Sequence, residues 1–361
     1  MKTRLLLYGV DDFAGALISR RAAATRFVHI AAGHDIAGVA IHANAVSKAH
    51  PGLVEPRIFG LGDKARFASQ LDDVAVLVNC SPRFSQTAPA LVDACLATRT
   101  HYLDLCSKGR DLSQVLARDS EARRAGIVLV PGANFDVAAA DAMSARLAAM
   151  LPAARHLTIA VNRSAYTCAE ADDLVEACRA PGAAERSVHV DFGNGEEVAH
   201  LAPWRCESLA AGRRGPYATV DAFEVLPPAL ARAITHAGLR RWMFRRGMRL
   251  ASLKRKIAGR GEGPTKRQLA RSRSIVWGEA RGPDGSICRA RLEAPAALLY
   301  TADAALLLAR VLLDGKMEPG FHWPSEVGGA ALVEAIDGVT WREIADPSET
   351  GAPDIGLPLA V

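Results

Sequence analysis

Short apolar runs alternate with segments of helical periodicity through the first 150 residues of the chain. The apolar runs lie at residues 2–8, 27–32, 57–59, 73–79, 101–105 and 127–130, and the helical segments at residues 13–24, 87–97, 113–124 and 136–150. Flat apolar runs of this length are typical of strands that are buried on both faces of a parallel sheet. Since parallel strands are joined by right-handed crossovers, the alternation predicts an α/β domain with a Rossmann-type doubly wound sheet.

The pattern changes after residue 156. Residues 156–162, 187–192 and 273–280 alternate apolar and polar side chains, and the turn Gly282-Pro283-Asp284-Gly285 follows the last of these runs. Alternation with turn residues between the runs is typical of an antiparallel sheet with one solvated face. We therefore predict a second, α+β domain built on an antiparallel sheet.

The length of 361 residues and the hydrophobic content of 50% allow two buried cores. We expect a Rossmann dinucleotide-binding domain at residues 1–150, a substrate or dimerisation domain at 151–295, a helix at 296–313 that rejoins the first domain, and a C-terminal tail at 314–361 that packs on it. We also expect the protein to form a homodimer.

Composition excludes several classes of protein. The seven cysteines are scattered and form no Cys-x-x-Cys pair, which argues against a disulfide framework and against a zinc site. No window approaches the roughly 20 apolar residues that span a bilayer, and the N-terminus lacks a signal-peptide pattern. We expect a cytoplasmic protein without a bound metal.

The first apolar run ends in the turn Gly9-Val10-Asp11-Asp12-Phe13-Ala14-Gly15. A glycine turn after a buried strand lets the backbone approach a pyrophosphate and present it to the N-terminus of the next helix. We predict that Gly9, Val10, Asp12, Phe13 and Gly15 bind a dinucleotide. Asp12, however, stands where the compact fingerprint has its middle glycine. A carboxylate near a pyrophosphate costs about 1 kcal/mol at water-like screening and about 4 kcal/mol at an effective dielectric near 20, unless the Asp12 side chain turns outward.

The second apolar run ends at Gly33-His34-Asp35. At this point, about 20 residues beyond the glycine turn, dinucleotide-binding folds distinguish a ribose from a ribose phosphate. Asp35 is suited to the 2′-hydroxyl of NAD, and His34 to the 2′-phosphate of NADP. The alternative is that both residues only begin the next loop. The sequence leaves the choice between NADP and NAD open.

Polar residues also follow the later strands, at the edge of the sheet where doubly wound folds bind ligands. Asn79 and Cys80 are predicted to contact a cofactor ribose, with a purely structural turn as the alternative. Ser81 and the turn Pro131-Gly132 complete the predicted cofactor-binding set.

Hydride transfer needs little covalent help from a protein, because the cofactor carries the chemistry and the fold aligns it and supplies a proton. We predict Tyr102, Asp104 and Asp136 as catalytic residues that supply or relay that proton. The alternative for Tyr102 and Asp104 is that they hydrogen-bond the edge of the sheet. Cys80 is not expected to act as a nucleophile, because no histidine is placed beside it by the sequence.

With these pieces in place, the chain resembles the saccharopine dehydrogenase-like family over nearly its whole length, and within it the branch of trans-acting enoyl reductases. The resemblance rests on Gly9, Phe13 and Gly15, and on the motifs at residues 32–35, 79–84, 101–104, 131–137, 276–281 and 320–324. It implies a nicotinamide-dependent oxidoreductase, and in that branch an NADPH-linked reduction of an enoyl or related acyl group of a lipid-like or polyketide-like substrate, carried by another protein.

The sequence departs from the family at three places. Asp12 replaces the middle glycine, His34 replaces an arginine that holds the 2′-phosphate, and the acidic residue expected near Ser107-Lys108 is missing. These departures support a second hypothesis, in which the chain is a catalytically degenerate relative that serves as a scaffold or accessory protein in a biosynthetic pathway.

Residues 239–274 carry thirteen basic side chains against one acidic residue, Glu262. Apolar residues near helical spacing in the first part predict a basic amphipathic helix, suited to an anionic membrane surface or to the acidic face of an acyl carrier domain. The alternative is a solvated basic face over a core stripe. Only Trp242 and Phe244 are aromatic, and no recognisable module is present, so we expect no contact with nucleic acid.

Overall fold

The computed structural model describes residues 2–63, 67–193, 195–214, 217–235, 244, 246–247, 250–259 and 263–344. The chain divides into two compact units. The first contains Met1–Ala138 and Leu298–Ile336, and the second contains Ala139–Ala297 and Asp337–Val361. Within the described residues, no helix combines the length and the apolar character that a membrane span requires.

The strands are β1 Arg4–Tyr8, β2 His29–Gly33, β3 Val54–Ile58, β4 Val74–Asn79, β5 His101–Asp104, β6 Val128–Val130, β7 His156–Asn162, β8 Ser187–Asp191, β9 Glu196–Leu201, β10 Thr219–Glu224, β11 Arg273–Arg281, β12 Ile287–Pro295, β13 Gly320–Phe321 and β14 Thr340–Ile344. The α-helices are α1 Phe13–Ala24, α2 Ile36–Ala49, α3 Phe84–Thr98, α4 Gly109–Leu116, α5 Asp119–Ala125, α6 Ala140–Met150, α7 Cys168–Ala177, α8 Glu207–Arg214, α9 Pro228–Thr235, α10 Leu250–Ala258, α11 Lys266–Arg271, α12 Ala297–Leu313 and α13 Pro324–Glu334.

The first unit is built on a parallel sheet with the strand order β13-β6-β5-β4-β1-β2-β3. Leu5, Leu6 and Leu7 of β1 have no solvent exposure, as expected for a central strand that is covered on both faces. Strand order reverses between β1 and β4, because β1 pairs with β2 on one side and with β4 on the other. The predicted Rossmann-type fold is confirmed.

The helix α2 was not predicted from the sequence. Asp35 caps this helix by accepting hydrogen bonds from the N–H groups of Ala37 and Gly38. The apolar stripe is weak because Ile36 and Ile41 are exposed and the buried face consists only of Val39, His42, Ala43 and Val46.

The second unit is built on a seven-stranded sheet with the order β14-β12-β11-β7-β10-β9-β8. The prediction of an antiparallel sheet holds for every pair except one, since β10 runs parallel to β7. Alternation of apolar and polar residues reports which face of a strand is buried, and it carries no information about strand direction. The long connection from β7 to β10, which includes α7, the β8–β9 hairpin and α8, permits the parallel pairing.

Two predicted segment assignments differ from the structure. The helix at 136–150 was predicted to close the first domain, but α6 belongs to the second unit, where Met143 and Leu147 pack on the bare backbone of Gly278. The prediction that residues 314–361 pack on the first domain is wrong for β14, which pairs with β12 of the second sheet. Residues 345–361 lie outside the described part of the chain.

A buried hydrogen-bonded chain joins α1, β2 and α2 in the first unit. Ser19 Oγ lies 2.7 Å from His29 Nε2 and 2.8 Å from His42 Nε2, and His29 Nδ1 lies 2.9 Å from the carbonyl oxygen of Phe27. His29 therefore donates its Nδ1–H to that carbonyl, accepts the Ser19 proton, and leaves Ser19 to accept from His42. Burial lowers the pKa of both histidines, that of His42 to about 4.

This chain predicts a loss of stability in mild acid. His42 in the unfolded chain takes up a proton near pH 6.5, whereas folded His42 stays neutral down to about pH 4. The contribution of neutral His42 to the free energy of unfolding is therefore complete above pH 6.5. It is lost as the pH falls toward 4, by up to about 3 kcal/mol. Urea unfolding of wild type and His42→Gln at a series of pH values should show a flatter profile for the variant. The exposed His189→Gln change should leave the profile unaltered, and equal slopes for wild type and His42→Gln would refute this account.

Candidate functional site

The carboxyl ends of β1 and β4 meet at the point where strand order reverses. Tyr8 at the end of β1 pairs with Asn79 at the end of β4, and the Cys80 N–H donates to the Tyr8 carbonyl oxygen over 2.8 Å. The chain then leaves β1 toward α1 and β4 toward α3, and connections that diverge in this way open a crevice at the sheet edge. The predicted Gly9 turn and the Asn79-Cys80-Ser81 turn therefore lie side by side.

Gly9 is required by this close approach. Its φ is +93°, and a Cβ atom at Gly9 would lie 2.6 Å from the backbone nitrogen of Ser81. Gly15 is required for a related reason, because a Cβ atom there would lie 2.1 Å from the carbonyl oxygen of Gly9. The two glycines thus bring the β1 turn, the β4 turn and the first turn of α1 into direct backbone contact.

Asp12 occupies the N-cap position of α1 with an extended backbone, but its carboxylate makes no capping hydrogen bond to the helix. Its N–H donates to the Gly9 carbonyl oxygen over 3.1 Å, which closes the turn. The first-turn N–H groups of α1 are thus not taken by this carboxylate. Asp12 is half-buried, and its charge adds to burial in raising the pKa of the Cys80 thiol. Cys80 is therefore held as a neutral thiol and is unsuited to act as a nucleophile.

Asp11, which was not among the predicted site residues, also belongs to this turn. Its side chain is only 7% exposed and turns toward the end of β2. Asp11 Oδ2 accepts the N–H of Asp35 over 3.2 Å and lies 3.1 Å from His34 Nδ1. Asp11 Oδ1 is buried and has no hydrogen-bond partner among the described residues. A Cβ atom at Gly33 would lie 2.4 Å from Asp11 Oδ1, so a glycine at the end of β2 makes room for the carboxylate.

His34 and Asp35 are thus placed by other residues. The His34 side chain is 69% exposed, and its Nδ1 atom lies 3.1 Å from the Asp11 carboxylate. Asp35 caps α2, whereas the alternative interpretation had it only begin a loop, and both of its carboxylate oxygens already accept helix N–H groups at 3.1 Å. The adjacent acids Asp11 and Asp12 are the sequence signal for this arrangement. Only one of the two carboxylates fits on the phosphate side of the turn, so the other has to point toward β2.

Asn79, Tyr102 and Asp104 form a buried network across the ends of β4 and β5. The Asn79 amide nitrogen lies 3.3 Å from the Tyr102 hydroxyl, which donates to Asp104 Oδ2 over 2.9 Å. None of the three side chains is exposed to solvent. This geometry favours the alternative in which Tyr102 and Asp104 hydrogen-bond the sheet edge, and a catalytic role for either residue stays a prediction.

Asp104 also ties β5 to the turn after β6. Asp104 Oδ1 accepts the N–H groups of Cys106 and Gly132 at 2.9 and 3.0 Å. Burial raises the pKa of Asp104 to about 6, although these donors and Tyr102 oppose the shift. Gly132, which follows Pro131, has a φ of +79°, and a Cβ atom there would lie 2.5 Å from Val137 Cγ1. The turn therefore has a structural need for its glycine.

Asp136 follows β6 in a single π-type turn, Phe135–Ala139, and is 8% exposed. The preceding residue is fixed from two sides, since the Phe135 N–H donates to Thr301 Oγ1 over 3.1 Å and the Phe135 ring packs edge-on against Tyr300. The structure brings Asp136 to the same edge of the sheet as the ends of β1, β4 and β5. Its role as a proton donor stays a prediction.

The predicted basic amphipathic helix falls largely on residues 236–243, 245 and 248–249, which lie outside the described residues. In the described helix α10, Leu253 and Ile257 pack against the core of the second unit, whereas Arg255 and Lys256 are exposed. This part matches the alternative of a solvated basic face over a core stripe. Contact with a membrane surface or an acyl carrier stays a prediction.

No protein-family model matches the chain, and no curated protein sequence matches it. Among solved structures, apo saccharopine dehydrogenase (L-Glu forming) from Saccharomyces cerevisiae superposes with a TM-score of 0.63 at 12% identity, covering 95% of this chain and 100% of the yeast chain. At this identity the likeness establishes the fold alone. The chain therefore has a saccharopine dehydrogenase-like fold, while the enoyl reductase branch stays a prediction.

Two further structures cover 96% of the chain at 13% identity, each with a TM-score of 0.43. They are GenD2 from gentamicin A biosynthesis in complex with NAD, and an oxidoreductase domain protein from Kribbella flavida, covered over 97% and 100% of their lengths. At this TM-score they add nothing to the fold assignment.

The buried network predicts a stability defect in Tyr102→Phe. Removal of the hydroxyl leaves Asp104 Oδ2 and the Asn79 amide each without one buried partner, which should lower the free energy of unfolding by about 1–3 kcal/mol. Urea unfolding measures this change. Tyr8→Phe is a matched control in the same sheet, because it removes a single long contact of 3.4 Å to the Phe59 carbonyl. An unchanged stability in Tyr102→Phe would show that the network does not support the fold.

Proposed function

We propose that the first unit binds a nicotinamide dinucleotide in the crevice between the ends of β1 and β4, and that the protein is a nicotinamide-dependent oxidoreductase. The observation that carries the proposal is the backbone contact of Gly9 with Ser81 and of Gly15 with Gly9. Because both residues are glycines, no side chain from these positions enters the crevice, and the N-terminus of the twelve-residue helix α1 lies at its edge. A pyrophosphate is stabilised at such a helix end by free N–H groups and by the helix dipole.

The residues present fit this cofactor in most respects. The first turn of α1 would hold the pyrophosphate, and the Asn79-Cys80-Ser81 turn and Pro131-Gly132 would line the path of the riboses and the nicotinamide. When bound, the dinucleotide supplies or accepts the hydride, so the chain has only to align the reactants and to move a proton. Asp136, at the same edge of the sheet, is the residue that we assign to that proton, and Tyr102 and Asp104 are fully buried in a network of their own.

Asp11 favours NAD over NADP. A 2′-phosphate beside the end of β2 would meet the Asp11 carboxylate, whereas a 2′-hydroxyl could donate a hydrogen bond there. Like charges about 4 Å apart repel by about 1 kcal/mol in water and about 4 kcal/mol at an effective dielectric of 20. His34 offsets part of this repulsion only when it is protonated. The NADPH preference that the family resemblance implies is therefore not what these residues support.

The proposed substrate is an enoyl or related acyl group of a lipid-like or polyketide-like molecule. Support for it comes from the order of the family motifs along the sequence, including those at residues 276–281 and 320–324. The alternative function, a scaffold or accessory protein without cofactor, is supported by the charge of Asp12 at the phosphate end of the crevice.

Affinity for the dinucleotide separates these two functions. Asp12→Gly removes the charge and restores the glycine, and should tighten NADH binding by about one to three powers of ten, as the repulsion of 1–4 kcal/mol requires. Asp12→Asn removes the charge but keeps a side chain of similar size. It therefore separates the effect of the charge from the effect of the backbone freedom that a glycine adds. Fluorescence titration with NADH and NADPH measures the affinities, and NADH should bind more tightly than NADPH to all three proteins.

Failure of the folded wild type and of both variants to bind either dinucleotide would refute the oxidoreductase proposal. Binding by Asp12→Gly but not by wild type would favour the scaffold function. If wild type binds, oxidation of NADH in the presence of an enoyl thioester tests the substrate.

A further inference from the structure

The second unit presents a sheet face with an unusual row of arginines. The registers of β11, β12 and β14 place Glu279 opposite Arg289, and Arg291 opposite Arg342. Because side chains alternate along a strand, these four residues share one face of the sheet. The other face of β14 is occupied by α6, where Arg146 pairs with Glu343 at 3.0 Å and lies over the Trp341 ring.

Two acidic residues share this face, Glu279 and Glu293, since Glu293 lies two residues beyond Arg291 on β12. Glu279 is 3% exposed and accepts hydrogen bonds from Arg281 Nε and Arg289 Nε, both at 2.6 Å. Neither Arg291 nor Arg342 makes an ion pair with a described residue, and Arg291 Nε is buried without a hydrogen-bond partner. Like charges that lie directly opposite each other on an antiparallel ladder are destabilising. No described carboxylate, including Glu293 on the same face, lies within ion-pair distance of either arginine.

The Arg291 guanidinium is held in position by backbone. A Cβ atom at Gly193, in the β8–β9 hairpin turn, would lie 1.2 Å from Arg291 Nη1 and 2.2 Å from Arg291 Cζ. Gly193 has a φ of +93°, and its N–H donates to Asp191 Oδ1 over 2.7 Å, which stabilises the turn locally. Val190 and Phe192 of the hairpin belong to one apolar cluster with Ile275 of β11, so the hairpin packs against β11 of the same sheet. The Arg291 guanidinium therefore lies against the backbone of this turn and makes no ion pair with a described residue.

We propose that Arg291 and Arg342 form a binding site for the phosphoryl group of a small molecule. Two guanidinium groups from paired positions of adjacent strands offer planar, forked sets of donors, the geometry that matches phosphate oxygens, and together they carry two positive charges. A phosphate monoester carries nearly two negative charges at neutral pH and accepts through three oxygens, so it satisfies both arginines at once. A solvated arginine explains Arg342 alone, but it does not explain a buried Nε that lacks a partner. The proposal does not depend on the dinucleotide crevice, which lies in the first unit.

Calorimetric titration with inorganic phosphate tests this site on the full chain. Wild type should bind phosphate above a background of sodium chloride at equal ionic strength. Arg342→Gln and Arg291→Gln should each weaken binding by more than about tenfold, because each removes charged hydrogen bonds. Arg342→Lys should recover part of the affinity. The exposed Arg267→Gln, on α11 of the same unit, should bind within about twofold of wild type.

Arg342 is exposed, so its variants keep the test valid even if Arg291→Gln fails to fold. Equal losses in Arg342→Gln and Arg267→Gln would overturn the proposal, because they would indicate diffuse attraction to a basic protein. Unaltered phosphate binding in Arg342→Gln would also overturn it, since the phosphate would then be bound elsewhere. Binding of succinate but not of phosphate would overturn the assignment to a phosphoryl group.

Discussion

The candidate site depends on the contact of three backbone segments at the ends of β1 and β4. Gly9 meets Ser81 and Gly15 meets Gly9 at distances where a Cβ atom would overlap other backbone atoms. Because the turns are packed without side chains between them, α1 begins directly at the edge of the sheet. The central parallel strands that carry these turns are buried on both faces, which keeps the two turns in register.

The two acidic residues of the glycine turn, Asp11 and Asp12, have different surroundings. Asp11 is drawn into the end of β2, where it positions His34 and Asp35, and bare glycines there leave room for its carboxylate. Asp12 stays at the N-terminus of α1, where the helix dipole favours a negative charge but a pyrophosphate would compete for the same position. In the proposed dinucleotide site, Asp11 would thus affect which nucleotide binds, and Asp12 how tightly it binds.

Sequence patterns predicted much of the first unit because its strands are flat apolar runs and its turns carry glycines. The direction of the Asp11 side chain had no such local signal, since it depends on space left by Gly33 on another strand. The burial of Tyr102 and Asp104 also could not be predicted from the sequence. Polar residues at strand ends occur both in buried hydrogen-bond networks and in ligand-binding sites, and the sequence does not distinguish the two. In the second unit, alternation could not reveal that β10 runs parallel to β7, or that Arg291 would face Arg342.

The most direct test of the central claim is amide hydrogen exchange on the intact protein with and without NADH at a saturating concentration. Protection is expected in three segments, residues 9–16, 33–36 and 79–84, because they form the crevice between β1 and β4 and the adjoining end of β2. Peptides of the second-unit sheet, such as residues 287–295, serve as the internal reference for changes unrelated to this site. Unchanged exchange in those three segments, or protection only in other parts of the chain, would contradict the proposed site.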